Sequence, residues 1–379
     1  MPRVIDYIHF TVFDPSVKQS ASGESVTSEA DDPPTCKFEE VPRTARIRDV
    51  ARLAAVSTAT VSRALATPER VSPEARARVL EAIARVGYVP NPMARSLRSQ
   101  KSRMVLVVLP NLDNIFFSKI LRGIEETLFE AGYGMIIGDL DGSPGKEAHF
   151  AAFTAAGQVD GAILLNGHLF GQTRDGRGQP ARTNVPLIAL CEAIPGADIP
   201  QIEVDNHAAA RGMTKYLASL GHRRIAYVCG PEGNVLEHER FRGYRDGLSD
   251  VGIAFDADLV WPGDYTLGAG ASAGRDIAGR RPRPTAVFCS NDEMAIGLMR
   301  SLMSAGVAVP GDISVAGFDD IEFAGMVEPS LTTIRQPRRD LGRTGALVLL
   351  DILRGRSVAS RVQLTTKLVV RRSTAPTVR

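Results

Sequence analysis

Residues 47–65 read IRDVARLAAVSTATVSRAL. Apolar residues recur at helical spacing on both sides of a break near Ala55, which predicts two short helices joined by a tight turn. Ser57 stands directly before the second helical stretch, where its hydroxyl is suited to cap the first backbone N–H groups. The apolar seam that packs the two helices together is expected from Val50, Leu53, Ala54, Val56, Val61 and Leu65.

The start of the second predicted helix carries short side chains, Thr58 and Ala59, with Arg63 one turn later. This pattern predicts a helix-turn-helix whose second helix enters the major groove of DNA. Threonine can hydrogen-bond to a base edge, and both short side chains can contact a thymine methyl group. Arg63 is expected to reach a guanine edge or a phosphate, and Thr60 and Ser62 complete the predicted DNA contacts of this helix. The alternative is a solvated helical hairpin with no role on DNA.

Charge is distributed unevenly along the 379 residues, although the net charge is only +2. Residues 1–40 contain 3 Lys or Arg against 8 Asp or Glu, whereas residues 44–103 contain 12 against 4. The basic block coincides with the predicted helix-turn-helix, as expected for a module that contacts phosphates. Residues 1–43, rich in Ser, Pro, Asp and Glu, are predicted to be a disordered acidic extension.

The segment resembles the headpiece of the lactose/galactose-repressor family, whose motifs are present as Asp49-Val50-Ala51 and as Val-Ser-x-x-Thr-Val-Ser-Arg at 56–63. The family often has glycine in the turn, where this chain has Ala55. If that position needs a left-handed backbone, alanine costs roughly 1 kcal/mol relative to glycine. A third helix is predicted from Ser72-Pro73 to Arg85, because serine suits an N-cap and proline the first helical position. The headpiece is assigned to residues 44–90.

Residues 91–103 are predicted to form a short hinge helix and a linker. The resemblance implies that the hinge folds on operator DNA and inserts Leu97 into the minor groove, where an apolar wedge kinks the duplex. The neighbouring predicted contacts are Asn91, Ala94, Arg95 and Arg98. The alternative for Leu97 is a linker residue that packs on the next domain.

From residue 104 onward, short apolar runs alternate with helical stretches, which predicts an α/β core of parallel sheets with helices on both faces. The runs lie at 104–110, 134–140, 161–166, 186–191, 202–204, 225–229, 259–262, 286–290 and 313–318, and the helices at 114–132, 208–220, 239–252, 269–277 and 293–305. Residues 104–379 exceed one comfortable sheet, so two lobes are expected. The resemblance, which covers about 330 residues, implies a periplasmic-binding-protein-like core with a first lobe of about 104–203 and 334–359 and a second lobe of about 204–333 and 360–379.

In the family a small-molecule effector binds between the lobes, and the matching positions here are Phe116, Asn234, Leu236, Arg240, Tyr265, Asn291 and Asp292. A guanidinium and a carboxylate that face each other across a cleft suit a vicinal diol, so Arg240 and Asp292 are predicted to grip the ligand. The alternatives are a structural ion pair for these two residues and plain core packing for Phe116. Segments such as 263–266 and 285–289 resemble a family member that responds to a nucleoside, so a nucleoside and a sugar both remain candidate effectors.

Several other classes are disfavoured. Neither a P-loop nor a dinucleotide-binding glycine motif is evident, no metal or cofactor is expected, and the six histidines form no recognisable catalytic set, so no catalytic residue is predicted. A two-lobed solute-binding protein for transport would need a signal peptide, which the sequence does not suggest. No apolar run is long enough for a membrane span, and the four scattered cysteines indicate reduced thiols. The sequence therefore predicts a cytoplasmic, homodimeric transcription regulator, most simply a repressor, that binds a palindromic operator.

Overall fold

The computed structural model describes residues 45–89, 101–172 and 179–377. The chain divides into two compact units, Met1–Pro90 and Asn91–Arg379, which are taken in turn. The acidic extension and the hinge residues Asn91, Ala94, Arg95, Leu97 and Arg98 lie outside the described residues.

The first unit contains three helices within its described part: α1 (Ile47–Leu53), α2 (Thr58–Ala66) and α3 (Pro73–Val86). Ser57 caps α2 as predicted, since its hydroxyl accepts from the Thr60 N–H at 3.0 Å, and Ser72 caps α3 in the same way. The buried core consists of Val50, Ala51, Ala54, Val61, Ala64, Val79 and Ala82. The prediction for Leu53 was wrong: the residue is 42% exposed, because it lies beside the face of α1 that carries the buried Val50, Ala51 and Ala54.

Ala55, in the turn between α1 and α2, has a φ of 50°. This is the left-handed region in which the β-carbon of alanine is strained and glycine is not. The substitution in the family motif therefore falls on a backbone conformation that favours glycine.

The first lobe of the second unit is built on a six-stranded sheet. Its strands are β1 (Met104–Leu109), β2 (Gly134–Asp139), β3 (Gly161–Leu164), β4 (Leu187–Leu190), β5 (Gln201–Val204) and β11 (Arg361–Leu364), and they lie side by side in the order β11-β5-β4-β3-β1-β2. All five strand pairs are parallel. The helices of this lobe are α4 (Phe117–Glu130), α5 (Pro144–Ala155) and α10 (Arg338–Leu353).

The second lobe has a similar sheet with one antiparallel edge. Its strands are β6 (Ile225–Val228), β7 (Val260–Trp261), β8 (Ala286–Cys289), β9 (Ser314–Asp319), β10 (Thr332–Arg335) and β12 (Lys367–Val369), in the order β12-β10-β9-β8-β6-β7. Strand β12 runs antiparallel to β10. The helices of this lobe are α6 (Asn206–Ser219), α7 (Val235–Asp250), α8 (Leu267–Gly279) and α9 (Asp292–Ser304).

The predicted helices of the core are present with ends within four residues of those expected. Two lobe boundaries differ from the prediction. Strand β10 lies wholly in the second sheet, and β11 pairs with β5 in the first, so the chain returns to the first lobe after 335 and leaves it after 364. The strands are too short and too alike in composition for their sheet to be read from the sequence.

Helices α4 and α10 of the first lobe pack closely against each other. An added β-carbon at Gly123 of α4 would lie 2.1 Å from the Arg339 carbonyl oxygen, and one at Gly342 of α10 would lie 2.1 Å from that of Ile120. The two backbones are therefore in direct contact, with no room for a side chain at either glycine. Across the part of the chain that the structure describes, no helix is both long and apolar enough to span a membrane.

Candidate functional site

The first candidate site is the exposed start of α2. Thr58, Ala59 and Arg63 are exposed, and Thr60 and Ser62 are half-buried. The Thr60 hydroxyl lies 2.9 Å from the Ser57 hydroxyl, so it takes part in the cap that orients this helix. The surface combines small polar side chains with a cation, as an element that reads base edges requires.

Exposed arginines lie just before α1, on α1 and on α2. Arg46, Arg48 and Arg52 on and before α1 are exposed, like Arg63 on α2. Arg52 pairs with the carboxylate of Asp49 at 3.2 Å, and both side chains are exposed to solvent. Surface pairs of this kind contribute little, so the guanidinium groups remain able to meet phosphates.

The second candidate site is a cavity of about 220 Å³ between the two lobes. It lies at the carboxyl ends of β1, β4, β6, β8 and β9, where open parallel sheets usually bind ligands. Residues of the first lobe that line it are Pro110, Asn111, Asp113, Asn114, Phe116, Phe117, Cys191 and Glu192. Those of the second lobe are Pro231, Asn234, Leu236, Arg240, Asp264, Tyr265, Thr266, Asn291, Glu293 and Asp319.

Six of the seven predicted effector-binding residues are thus brought together around one cavity. They come from four different segments of the chain, namely Phe116, the start of α7 with Asn234, Leu236 and Arg240, Tyr265, and Asn291. The seventh, Asp292, lies outside this lining, and the prediction that Asp292 faces Arg240 was wrong.

Asp292 is fully buried and its carboxylate is occupied inside the second lobe. One oxygen accepts from the Thr333 hydroxyl at 2.5 Å, and the other accepts from the Ile321 N–H at 2.9 Å. Burial raises the pKa of Asp292 well above its usual range. The residue therefore ties the start of α9 to β10 and to the segment after β9, rather than reaching into the cleft.

Asp319 occupies the place expected of Asp292. Its Oδ1 lies 3.7 Å from a terminal nitrogen of Arg240, and it accepts from the Gln336 amide at 2.7 Å. Burial raises the pKa of Asp319 to about 6, although the charges of Arg240 and Arg338 act in the opposite direction. Asp319 is the last residue of β9, so its side chain emerges at the edge of the sheet that forms the cleft.

Arg240 is held rigidly on the first turns of α7. Its Nε donates to Asn206 Oδ1 at 2.9 Å, and one terminal nitrogen donates to the Ser290 carbonyl at 2.6 Å. The guanidinium carbon lies 3.8 Å from the centroid of the Phe318 ring. The Arg240 side chain is only 3% exposed, so its guanidinium has a fixed orientation. It therefore needs little reorganisation when a ligand binds.

Aromatic rings form two walls of the cavity. Phe116 stands before α4, with its ring at 5.2 Å and nearly perpendicular to that of Phe117. Tyr265 lies in the second lobe, where its carbonyl accepts from the Asn291 amide at 2.9 Å. Asn291 also caps α9 through the Met294 N–H, so one side chain fixes both the helix and the aromatic wall.

Non-glycine residues with positive φ cluster at this cleft. Cys191 has a φ of 69°, Tyr265 of 70° and Asp319 of 118°. Such conformations cost about 1–3 kcal/mol each and persist where the surroundings enforce them, as at binding sites. The fold therefore maintains a strained backbone at three residues that line the cleft.

A hydrogen bond joins the lobes at one end of the cleft. Asn234 caps α7 by accepting from the Glu237 N–H at 3.1 Å, and its amide donates to Glu192 Oε1 at 3.2 Å. Asn234 belongs to the second lobe and Glu192 follows β4 of the first. Leu236, two residues further along, adds an apolar patch to the same end.

The electrostatics of the lining indicate the chemistry that fits. Arg240 is the one cation among the described lining residues, and Asp319 already faces it. The carboxyl groups are Asp113, Glu192, Asp264, Glu293 and Asp319. Carboxylates accept from hydroxyl and amino groups, and the aromatic walls suit the flat face of a sugar or a base. The arrangement suits a small polyhydroxylated molecule without a phosphate.

Sequence reasoning missed several lining residues, above all Asp319, Glu192 and Glu293. Asp319 directly follows the apolar run at 313–318. Its position at the end of an apolar run was the available signal. Glu293 directly follows the predicted residues Asn291 and Asp292, and that position was its signal. Glu192 carried no signal, because its role depends on which loops meet across the cleft.

Comparison with known proteins adds two family matches. A model of the lacI family of bacterial regulatory proteins matches residues 46–91. A model of the periplasmic binding protein-like domain matches residues 214–374. The resemblance predicted from the motifs is thereby confirmed.

Individual relatives cover nearly the whole chain. It is similar to the HTH-type transcriptional repressor CytR of Escherichia coli K12, with 40% identity over 331 residues, covering 87% of this chain and 96% of that protein. Its structure is similar to that of the lac repressor dimer bound to operator and the anti-inducer ONPF, with a TM-score of 0.78, 28% identity, and coverage of 88% and 100%. It is also similar to a complex of the transcriptional regulator CelR with cellobiose, with a TM-score of 0.66, 31% identity, and coverage of 87% and 99%.

Proposed function

The chain belongs to the lacI family of bacterial regulatory proteins, and we propose that it is a DNA-binding transcriptional repressor whose operator affinity is controlled by a small sugar or nucleoside bound in the interlobe cleft. The observation that carries the proposal is the combination in one chain of an exposed, arginine-flanked α2 and a polar cavity between two lobes. The cavity alone would not distinguish a regulator from a transport protein, and the helix-turn-helix makes that distinction.

On DNA, the start of α2 reads base edges. Thr58 and Ala59 face the bases, Arg63 reaches a guanine edge or a phosphate, and Thr60 and Ser62 support them. The hinge contributes Leu97 as the wedge in the minor groove, with the flanking contacts Asn91, Ala94, Arg95 and Arg98. The matching lac repressor structure is a dimer on its operator, which supports a homodimer here that reads two half-sites of an imperfect palindrome.

In the cleft, Arg240 and Asp319 hold neighbouring hydroxyl groups of the effector. Phe116 and Tyr265 stack on its flat faces, and Asn291 donates to it or accepts from it. Asn234 and Leu236 close the end of the cleft that discriminates between ligands. The cellobiose complex of a similar protein supports a sugar, and the likeness to CytR keeps a nucleoside as the second candidate.

Effector and DNA are linked through one equilibrium between lobe arrangements. A ligand that binds one arrangement better shifts the population toward it. The affinity for DNA then changes by the same factor by which DNA changes the affinity for the ligand. The protein acts in the cytoplasm, where its operator is, and carries out no catalysis. A solute-binding protein for transport is not favoured, because its relatives here are repressors.

The proposal is tested by selecting a binding site from random duplex DNA with the full chain, and then measuring affinity by fluorescence anisotropy. Raising salt from about 50 to about 200 mM is expected to lower the affinity by orders of magnitude, given about 6–10 phosphate contacts per dimer. Arg63→Ala is expected to weaken binding and to relax the preferred sequence. Failure to enrich any sequence would refute the DNA-binding role.

The effector is identified by thermal stabilisation across nucleosides, pentoses, hexoses, disaccharides and their phosphates. A ligand at about 100 times its Kd stabilises the protein by about 2.7 kcal/mol, which is readily measured. The hit must also change operator affinity. A ligand that stabilises the core but leaves operator affinity unchanged would contradict regulation through the cleft.

A further inference from the structure

Arg338 connects the two lobes beside the cleft. It is the first residue of α10 in the first lobe, and it is 2% exposed. One terminal nitrogen donates to the Phe116 carbonyl at 3.3 Å, and the other donates to the Asp320 carbonyl at 3.0 Å and to Glu322 Oε2 at 3.3 Å. Phe116 belongs to the first lobe, whereas Asp320 and Glu322 follow β9 in the second.

Glu322 receives a second cation from the first lobe. The ammonium of Lys119, in the first turn of α4, lies 2.5 Å from Glu322 Oε1. Burial alone would raise the pKa of Glu322, but the bond from Lys119 and the charge of Arg338 outweigh it, so the pKa is lowered. Glu322 therefore stays ionised between two cations from the opposite lobe.

The second-lobe side of this contact is itself immobilised. The Asp320 carboxylate accepts from Arg335 at 2.5 Å and from Arg371 at 2.7 Å. These two arginines lie within or directly after the second sheet. The Asp320 carbonyl that Arg338 contacts is thus a fixed anchor, and a change at Arg338 is transmitted to the lobe as a whole.

We propose that Arg338 is a positioning residue that couples the Phe116 wall of the cleft to the closure of the two lobes. Its guanidinium binds the Phe116 carbonyl in the first lobe and the Asp320 carbonyl, next to Asp319, in the second. One side chain therefore positions both walls of the cleft. Opening the lobes would separate a buried cation from its acceptors in the second lobe, which is strongly unfavourable. Arg338, Glu322 and Lys119, here called the interlobe latch, therefore favour the closed arrangement.

The latch bears on regulation only if the proposed effector cleft is correct, so its test uses neither effector nor DNA. The probe is the N–H of Ile115, which precedes α4 in the first lobe. The Ile115 side chain packs against the apolar core of the second lobe, and its N–H lowers the pKa of Glu293 there. Hydrogen exchange of this amide reports opening of the lobes, whereas amides of β1 and β9 report unfolding of each lobe.

The variants are made in the full chain. Arg338→Met keeps the length of the side chain and removes its donors, and Glu322→Gln removes the charge shared by both cations. Arg122→Met is the matched control, since Arg122 also lies on α4, where it pairs with Glu126 of the same helix. Arg338→Lys tests whether charge alone suffices.

The expected result for Arg338→Met is exchange at Ile115 at least about tenfold faster, with unchanged exchange in β1 and β9. Glu322→Gln should accelerate the same amide by a smaller factor, Arg338→Lys should restore part of the protection, and the control should not change it. Unchanged exchange at Ile115, or equal acceleration in both sheets, would overturn the latch. If Arg338→Met does not fold, Glu322→Gln decides, because this side chain is 37% exposed and lies at the surface.

Discussion

Arg240 and Asp319 face each other at 3.7 Å in the cleft, and both side chains are more than nine-tenths buried. They belong to the same lobe, Arg240 on α7 and Asp319 at the end of β9. The pair is therefore assembled before any ligand arrives, and closure of the other lobe completes the site. This preorganisation favours affinity because little side-chain freedom is lost on binding.

Replacing Asp319 is expected to remove the response to effector. Asp319→Asn keeps the shape but loses the carboxylate, so effector affinity should fall by at least about tenfold while operator binding persists. Calorimetric titration and anisotropy measure the two affinities. Asp292→Ala is the contrasting variant: it leaves the Thr333 hydroxyl and the Ile321 N–H without acceptors, so it should lower stability instead. A normal effector response in Asp319→Asn would remove this residue from the site.

The pH dependence of effector binding should follow the ionisation of Asp319. Its pKa is raised by burial to about 6, and the ionisable groups that interact with it include Arg240, Arg338, Asp292 and Glu293. Effector affinity should fall as the pH drops through 6, by about tenfold per unit, because the protonated carboxyl accepts fewer hydrogen bonds.

The contribution of this group to stability runs in the opposite direction. The folded pKa lies above the unfolded one, so the unliganded core should gain stability as the pH falls from about 6 to about 4. Titrations between pH 5 and 8 check the affinity, and denaturant unfolding checks the stability. Both trends should vanish in Asp319→Asn, and their persistence there would assign them to another group.

Gly230 is expected to be required for the Tyr265 wall. A β-carbon at Gly230 would lie 2.3 Å from Cε1 of Tyr265, and the Gly230 N–H donates to Glu237 at 2.6 Å, so the backbone cannot move away. Gly230→Ala should displace the tyrosine ring and weaken effector binding by about tenfold or more, with operator binding retained. Gly212→Ala, in α6 with open space around it, is the control and should not weaken binding. Equal affinities in the two variants would contradict the role of the wall.

Ala55→Gly is expected to stabilise the headpiece. The φ of 50° at this turn suits glycine, and the relief is about 1 kcal/mol. Hydrogen exchange of the α1 and α2 amides in the full chain should therefore slow by about fivefold. Faster exchange in this variant would mean that the flexibility of glycine in the unfolded chain outweighs the relief of strain.

The headpiece was predictable because its signals are local. Caps at Ser57 and Ser72, the apolar spacing, and the turn at Ala55 all depend on neighbours within one or two helical turns. Leu53 was the exception, since helical spacing alone does not say which apolar side chain the third helix covers.

The lobes were predictable as a class of fold, because alternating strands and helices allow few arrangements. Their boundaries were not, since β10 and β11 are four residues each and are assigned to a sheet only by their pairing partners.

The sequence by itself determined the architecture, the family and six of the residues that meet in the cleft. Only the tertiary structure decided that Asp319, and not Asp292, faces Arg240, and that Arg338 joins Phe116 to Asp320. The physical reason is that a motif specifies which side chains are present, whereas their directions depend on strand ends and helix caps. The contact of Arg338 with Phe116, 222 positions away, exists only once the chain has returned to the first lobe, and its contact with Asp320 exists only where the two lobes meet.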